Sequence, residues 1–191
     1  MTYSNTLNKH LVVIYAGRFQ PFHQGHADVY HELCNRFGDK HTFIVASNKT
    51  NQEDSPFTFE QKKMLACTLF RIPQDKFVYV KQPYRANELL DSFDPSQTSV
   101  IWVTGAKDHD RLTTGKMVEW SPELTELQTM NHLQYVYRSS PKQNGLSATF
   151  IRHAVQTASS MKQKRHILNQ LYPHMTQQAF DVIIQALSTH K

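Results

Sequence analysis

Cysteine is scarce in this chain: its 191 residues hold two, Cys34 and Cys67. Neither has metal-ligand spacing or disulfide-framework density, which excludes a zinc module and a disulfide scaffold. Both fall in helical patterns among apolar residues, where a free thiol behaves as a small hydrophobe. No apolar segment precedes Leu11, and no apolar run approaches the length that spans a bilayer. Lys plus Arg is 21 against 16 for Asp plus Glu, giving +5 with 11 histidines counted neutral. Yet no Lys/Arg run is longer than two, so the positive balance suits phosphate-bearing ligands rather than a nucleic-acid stripe. Internal repeats and low-complexity tracts are missing as well. These absences predict a soluble, cytoplasmic protein acting on small molecules, without membrane or nucleic-acid partners. Oligomeric state is left open, a homo-oligomer included.

What is present is an alternation. Residues 11–15 form a short, β-branched and aromatic run, the pattern of a buried strand. Further strands are predicted at 41–47, 76–80, 99–104 and 133–137. The fourth is almost continuously apolar, as a strand covered on both faces should be. Helical spacing marks 27–37, 59–70, 86–93, 147–158, 162–171 and 176–187. Such β-α-β-α order favours right-handed parallel crossovers. It predicts an α/β, Rossmann-like doubly wound parallel sheet of about five strands with a C-terminal helical cap. The expected division is 1–158 for the sheet domain and 159–191 for a helical extension packed on it. In the last helix Phe180, Ile183, Ile184 and Leu187 share one face, a docking stripe.

Chemistry concentrates directly after the first strand, in Gly17-Arg18-Phe19-Gln20-Pro21-Phe22-His23-Gln24-Gly25-His26. A strand-to-loop-to-helix junction at the carboxyl end of a parallel strand is where open α/β sheets bind ligands. Gly17 and Gly25 would permit close backbone approach or positive φ where a side chain would block a phosphate. His23 and His26 are three apart, so both can address one ligand near the first helical turn. An imidazole can donate to a phosphate oxygen, and partial protonation would strengthen that bond. With Arg18 and the helix N-terminus they predict an anion site for phosphates. Most loop and surface histidines do nothing of the kind; the pairing around one glycine sets these two apart.

Further along, Ser147 or Thr149 can cap the 147–158 helix, and Arg152 follows one turn in, where a guanidinium can hold two phosphate oxygens. Asp108, after the fourth strand, is a candidate nucleotide contact, with Asp110 competing for the role. Lys49, in the loop after the second strand, is a candidate for a second phosphate. Tyr84, Arg85 and Trp120 are candidates to stack on or pair with an acceptor base.

Residues 17–26 resemble the first motif of the HxGH nucleotidyltransferase superfamily, in the form closest to archaeal-type nicotinamide mononucleotide adenylyltransferases. Ser147-Ala148-Thr149-Phe150-Ile151-Arg152 resembles the superfamily's second motif, Ser-x-Thr-x-x-Arg, and Ser55-Pro56-Phe57-Thr58 resembles its Asp-Pro-Phe-Thr stretch. Two departures stand out. The stretch 82–90 has no tryptophan where those enzymes carry one near the nicotinamide, and Lys107 interrupts their Gly-x-Asp spacing ahead of Asp108.

The resemblance implies transfer of AMP from ATP to a phosphorylated acceptor, most directly nicotinamide mononucleotide, with pyrophosphate leaving. Cytidylyltransferases and pantetheine-phosphate adenylyltransferases are the alternatives, although Asn144-Gly145-Leu146-Ser147-Ala148-Thr149 is only loosely similar to the cytidylyl motif. A nucleotide-binding protein without turnover is the third. Under the resemblance His26 meets the α-phosphate, His23 neighbouring oxygens, and Arg152 and Thr149 the β and γ phosphates. Main-chain groups at Arg18 and Phe19 line the triphosphate path. Magnesium is implied as a substrate-borne ion kept mainly by phosphate oxygens and water, with no dedicated protein metal site. No nucleophilic serine elbow or cysteine is in a suggestive place, and none is needed when the acceptor is itself an anion.

Overall fold

A computed structural model describes residues 10–51, 53–105, 116–139 and 146–188. Strands β1 (His10–Ala16), β2 (Thr42–Ala46), β3 (Phe77–Tyr79), β4 (Thr98–Thr104), β5 (Met117–Glu119) and β6 (Gln134–Arg138) form one sheet. Its order is β3-β2-β1-β4-β6-β5, and every pairing is parallel. The helices are α1 (Gln24–Phe37), α2 (Phe59–Phe70), α3 (Asn87–Leu90), α4 (Ala148–Thr157), α5 (Met161–Leu171) and α6 (Gln177–Ser188).

Strand alternation divides the interior into two cores. Val13, Tyr15, Ile101 and Val103 point into the larger one, with the apolar sides of α1, α2, α4, α5 and α6. Val12, Ile14, Val100 and Trp102 point into the smaller one, closed by Val80, Ala86 and Leu89. Sheet order reverses at β1, whose neighbours are β2 and β4. A topological switch point therefore opens beyond Ala16 and Thr104, and ligands of open parallel sheets bind at such a crevice. Among the described residues no helix is long and apolar enough to cross a membrane.

Two elements depart from the sequence reading. β5 is a sixth strand, three residues long and mostly exposed. It has too little apolar periodicity to announce itself and exists through its pairing with β6. The helix expected over 86–93 contracts to α3, because Ala86 adopts left-handed φ 46 at its start. The C-terminal helices share the larger core: Leu168, Tyr172, Phe180, Ile183 and Leu187 pack in the same cluster as Phe22 and Phe70.

One contact ties that end of the chain to the loop after β1. The buried Tyr172 hydroxyl donates to the Phe22 carbonyl at 3.1 Å. Tyr172→Phe keeps the ring but leaves that carbonyl without its donor, a loss of about 1–3 kcal/mol. Urea unfolding should show a lower midpoint at unchanged slope; an unmoved midpoint would dismiss the contact as a stabilising one.

Candidate active site

The loop after β1 is built around Phe19. Its backbone sits at φ 51, a left-handed conformation that L-residues other than asparagine or aspartate seldom take. This turn drives the ring inward, 3 % exposed, against Tyr15, Phe22, His26 and Phe77 at centroid distances of 5.2, 5.5, 4.9 and 5.9 Å. A Cβ on Gly17 would lie 2.6–3.0 Å from the same ring. A Cβ on Gly25 would lie 3.2 Å from His23 Cε1. The expectation of positive φ at these glycines is corrected, since φ is positive at neither; each makes room for an aromatic side chain of the loop itself.

Gln20 anchors the loop to the rest of the molecule. Its side-chain amide, 4 % exposed, donates from Nε2 to the Phe57 carbonyl at 2.9 Å and accepts from the Phe57 amide at Oε1 at 2.7 Å. Its own carbonyl accepts Arg152 Nη1 at 2.6 Å across 132 residues of sequence. All three segments singled out in the sequence thus meet at one residue. Arg152 Nη2 also donates to Thr149 Oγ1 at 3.4 Å. Of the two candidate caps, Ser147 is the one: its Oγ accepts the Phe150 amide at 3.1 Å.

His23 is the N-cap of α1, and no acidic residue occupies that helix's first turn. The His23 amide is already taken up by His26, and with no carboxylate in the first turn the positive end of the helix favours an anion. The His23 and His26 rings stack at 3.7 Å and 27°. The His23 amide donates to His26 Nδ1 at 3.3 Å, so a neutral His26 carries its proton on Nε2 and can donate there. His23 Nδ1 is buried without a hydrogen-bond partner, a state that is costly unless a ligand supplies one. Burial pushes His23 down to about 4 despite the opposing charge of Asp28. Burial, followed by the neighbouring His23, holds His26 well below its ordinary value. The expected partial protonation is corrected accordingly: near neutral pH these are uncharged N–H donors in the ligand-free protein.

Beside the loop lies a cavity of about 180 Å³ lined by Arg18, Gln20, Ser47, Lys49, Asn51, Asp54, Ser55 and Lys62. It is smaller than the roughly 300–1,000 Å³ of sites enclosing whole ligands, and its size suits a phosphate group. Lys62 is 1 % exposed, donates from Nζ to the Ser47 carbonyl at 2.5 Å, and is pushed down to about 8 by burial. The sequence reading missed Lys62 and Asp54. Lys62 was detectable, since it interrupts the buried face of α2 made by Phe59, Leu65, Ala66 and Leu69. Arg18 forms an exposed ion pair with Asp54.

The structure gathers Arg18 with Lys49, His23 with His26, and Arg152 with Thr149, all around Gln20. It does not bring the acceptor candidates to this place. Trp120 is 6 % exposed and packs between Phe37 and Tyr137 at 5.0 and 5.5 Å. It is a core residue in place of the expected stacking platform, because β5 aligns it with the end of α1. Tyr84 packs against the smaller core on the opposite face of the sheet, and Arg85 beside it is exposed. Asp108, Asp110 and Lys107 lie outside the described residues.

A parallel sheet flanked by helices, with a loop of buried imidazoles at its switch point, places the protein in the Rossmann-like class of α/β folds. Its family follows from the sequence match: residues 14–154 fit the cytidylyltransferase-like model, and the chain belongs to that family of nucleotidyltransferases. Comparison with curated protein sequences gives no match. Among solved structures, the chain is similar to the Plasmodium falciparum nicotinic acid mononucleotide adenylyltransferase complexed with NaAD. That similarity has a TM-score of 0.50 at 13 % identity, covering 92 % of this chain and 95 % of the other. It is similar also to a Vibrio parahaemolyticus protein assigned as a nicotinate-nucleotide adenylyltransferase, again at TM-score 0.50 and 13 % identity, over 92 % and 99 % of the two chains. At such identity the likeness is one of fold.

The neutral histidines have a consequence for folding. Between pH 6.5, the ordinary imidazole value, and about 4, the unfolded chain binds a proton at His23 that the folded chain refuses. The unfolded state gains protons over that window, so stability falls as pH falls through it. At about 1.4 kcal/mol per unit the His23 contribution is roughly 3 kcal/mol. His23→Asn, which keeps an N-cap residue, should flatten the loss measured by urea unfolding at pH 7 and pH 4.5. Equal losses in both proteins would remove His23 as its source.

Proposed function

We propose that this nucleotidyltransferase is an adenylyltransferase that transfers AMP from ATP to a phosphorylated acceptor, with nicotinamide mononucleotide the favoured acceptor and NAD the product. The observation that carries the reading is the reach of Arg152 to the Gln20 carbonyl. It sets a late-helix guanidinium beside the loop that bears two uncharged imidazole donors and leads into a helix N-terminus free of carboxylates. The first-motif resemblance to nicotinamide mononucleotide adenylyltransferases supports the choice of base.

In this mechanism an acceptor phosphate oxygen attacks the α-phosphorus of ATP. A new Pα–O bond forms, the bond to the β-phosphate oxygen breaks, and pyrophosphate departs with its electron pair. His26 donates from Nε2 to an α-phosphate oxygen as charge builds there, and His23 donates to an adjoining oxygen. Arg152 and Thr149 hold the departing phosphates, while the α1 N-terminus faces them. Magnesium enters as part of the Mg·ATP substrate. Among the described residues no three His, Cys, Asp or Glu side chains come together to hold a metal, and the cations of the cavity suit phosphate instead. Orientation of the two substrates supplies roughly 7–11 kcal/mol of the acceleration. One preorganised donor adds about 3–4 kcal/mol.

Pyrophosphate release should be followed with magnesium, each nucleoside triphosphate in turn, and a panel of phosphorylated acceptors. ATP with nicotinamide mononucleotide should give product. Release with CTP alone, or with pantetheine phosphate alone, would overturn the assignment, and binding without turnover would overturn catalysis altogether. His26→Ala should lower turnover by about two to three orders of magnitude with ATP binding largely kept. Near-normal turnover in that variant would exclude His26 from the step.

A further inference from the structure

Among the residues lining the cavity are three cations, Arg18, Lys49 and Lys62, and a single carboxylate, Asp54. Asp54 is fixed from several sides. Its carboxylate pairs with Arg18, its Oδ1 accepts Ser55 Oγ at 3.1 Å, and its amide donates to Asn51 Oδ1 at 2.9 Å. Hydrogen bonding from Asn51, then Arg18 and Ser55, holds its carboxyl below the usual range. Burial lowers the Arg152 guanidinium from its ordinary value; the charge of Asp54 works against that shift, while Arg18 adds to it. One carboxylate thus serves the arginine of the first motif by contact and that of the second through its field.

The pair gains little from being where it is. The two side chains are 56 % and 44 % exposed, and an ion pair so exposed contributes little to folding. Arg18, however, is one of the groups on which phosphate recognition depends. While Asp54 holds it, an incoming anion must replace an existing charge-assisted bond before it gains one. A carboxylate ligand would only exchange like for like. A phosphate brings more charge and a third oxygen, and it can address Arg18, Lys49 and Lys62 together.

We infer that Asp54 is a specificity residue: an internal carboxylate that occupies Arg18 until a phosphate displaces it, and so excludes carboxylate ligands from the phosphate cavity. The inference rests on the phosphate-binding reading of the site given above. It makes the protein trade affinity for discrimination, since a phosphate that enters this cavity opens the Asp54–Arg18 pair.

Calorimetric titration of the full chain with magnesium-free inorganic pyrophosphate, and separately with malonate, tests it without requiring turnover. The unaltered protein should bind pyrophosphate and give no measurable heat with malonate. Asp54→Asn preserves the shape of the side chain and removes its charge. It should bind pyrophosphate about tenfold more tightly and acquire measurable malonate binding, and Asp54→Ser should behave alike if the first variant folds poorly. Pyrophosphate binding that is unchanged or weaker in the variants, or malonate still excluded, overturns the role of Asp54 alone. Failure of pyrophosphate to bind any of the proteins overturns the phosphate reading and the inference with it.

Discussion

The site depends on how a loop without regular secondary structure is kept in one conformation. Gln20 does most of this. Its amide closes a two-way hydrogen-bond pair with the Phe57 backbone, and its carbonyl receives Arg152. Two residues on, the Phe22 carbonyl receives Tyr172. A buried polar group satisfied by one specific partner gives geometric definition as well as stability. Here each partner comes from a different part of the chain, so the loop is set only when α2, α4 and the end of α5 have docked. Beneath it the Phe19 ring fills the space that Gly17 leaves open.

Charge is distributed around this loop in two different ways. On the helix side the donors are imidazoles kept neutral by burial, and His26 by its neighbour His23 as well. Neutral stacked rings avoid the repulsion that two imidazolium ions 3.7 Å apart would suffer. On the cavity side the donors are full cations, one of them a lysine buried without an acidic partner in contact. An arriving phosphate would reverse part of this balance. Its negative charge favours imidazole protonation and relieves the mutual repulsion of Arg18 and Arg152.

Much of the architecture could be read from the chain directly. The apolar runs at β1 and β4 and the helical spacing of α1, α2 and α6 are strong periodic signals, and they yield a parallel α/β sheet. What escaped reading was short or relational. β5 has three residues and no periodicity of its own. Lys62 was passed over, and its burial is settled only where α2 turns that face inward. Trp120 looked like a free aromatic until β5 placed it between Phe37 and Tyr137. At Gly17 and Gly25 a side chain would collide with the loop's own Phe19 and His23 rings, contacts that exist only once the loop has folded.

By itself the sequence determined which residues are candidates for the chemistry and the order in which strands and helices follow, because residue type and periodicity are local properties. It placed His23 and His26 one helical turn apart and Ser147 ahead of Arg152 in the same way. Only the tertiary structure decided that Arg152 meets Gln20, that Asp54 meets Arg18, and that both imidazoles are uncharged. Those outcomes depend on distance and burial between segments up to 132 residues apart, and neither quantity exists until the chain has closed around its core.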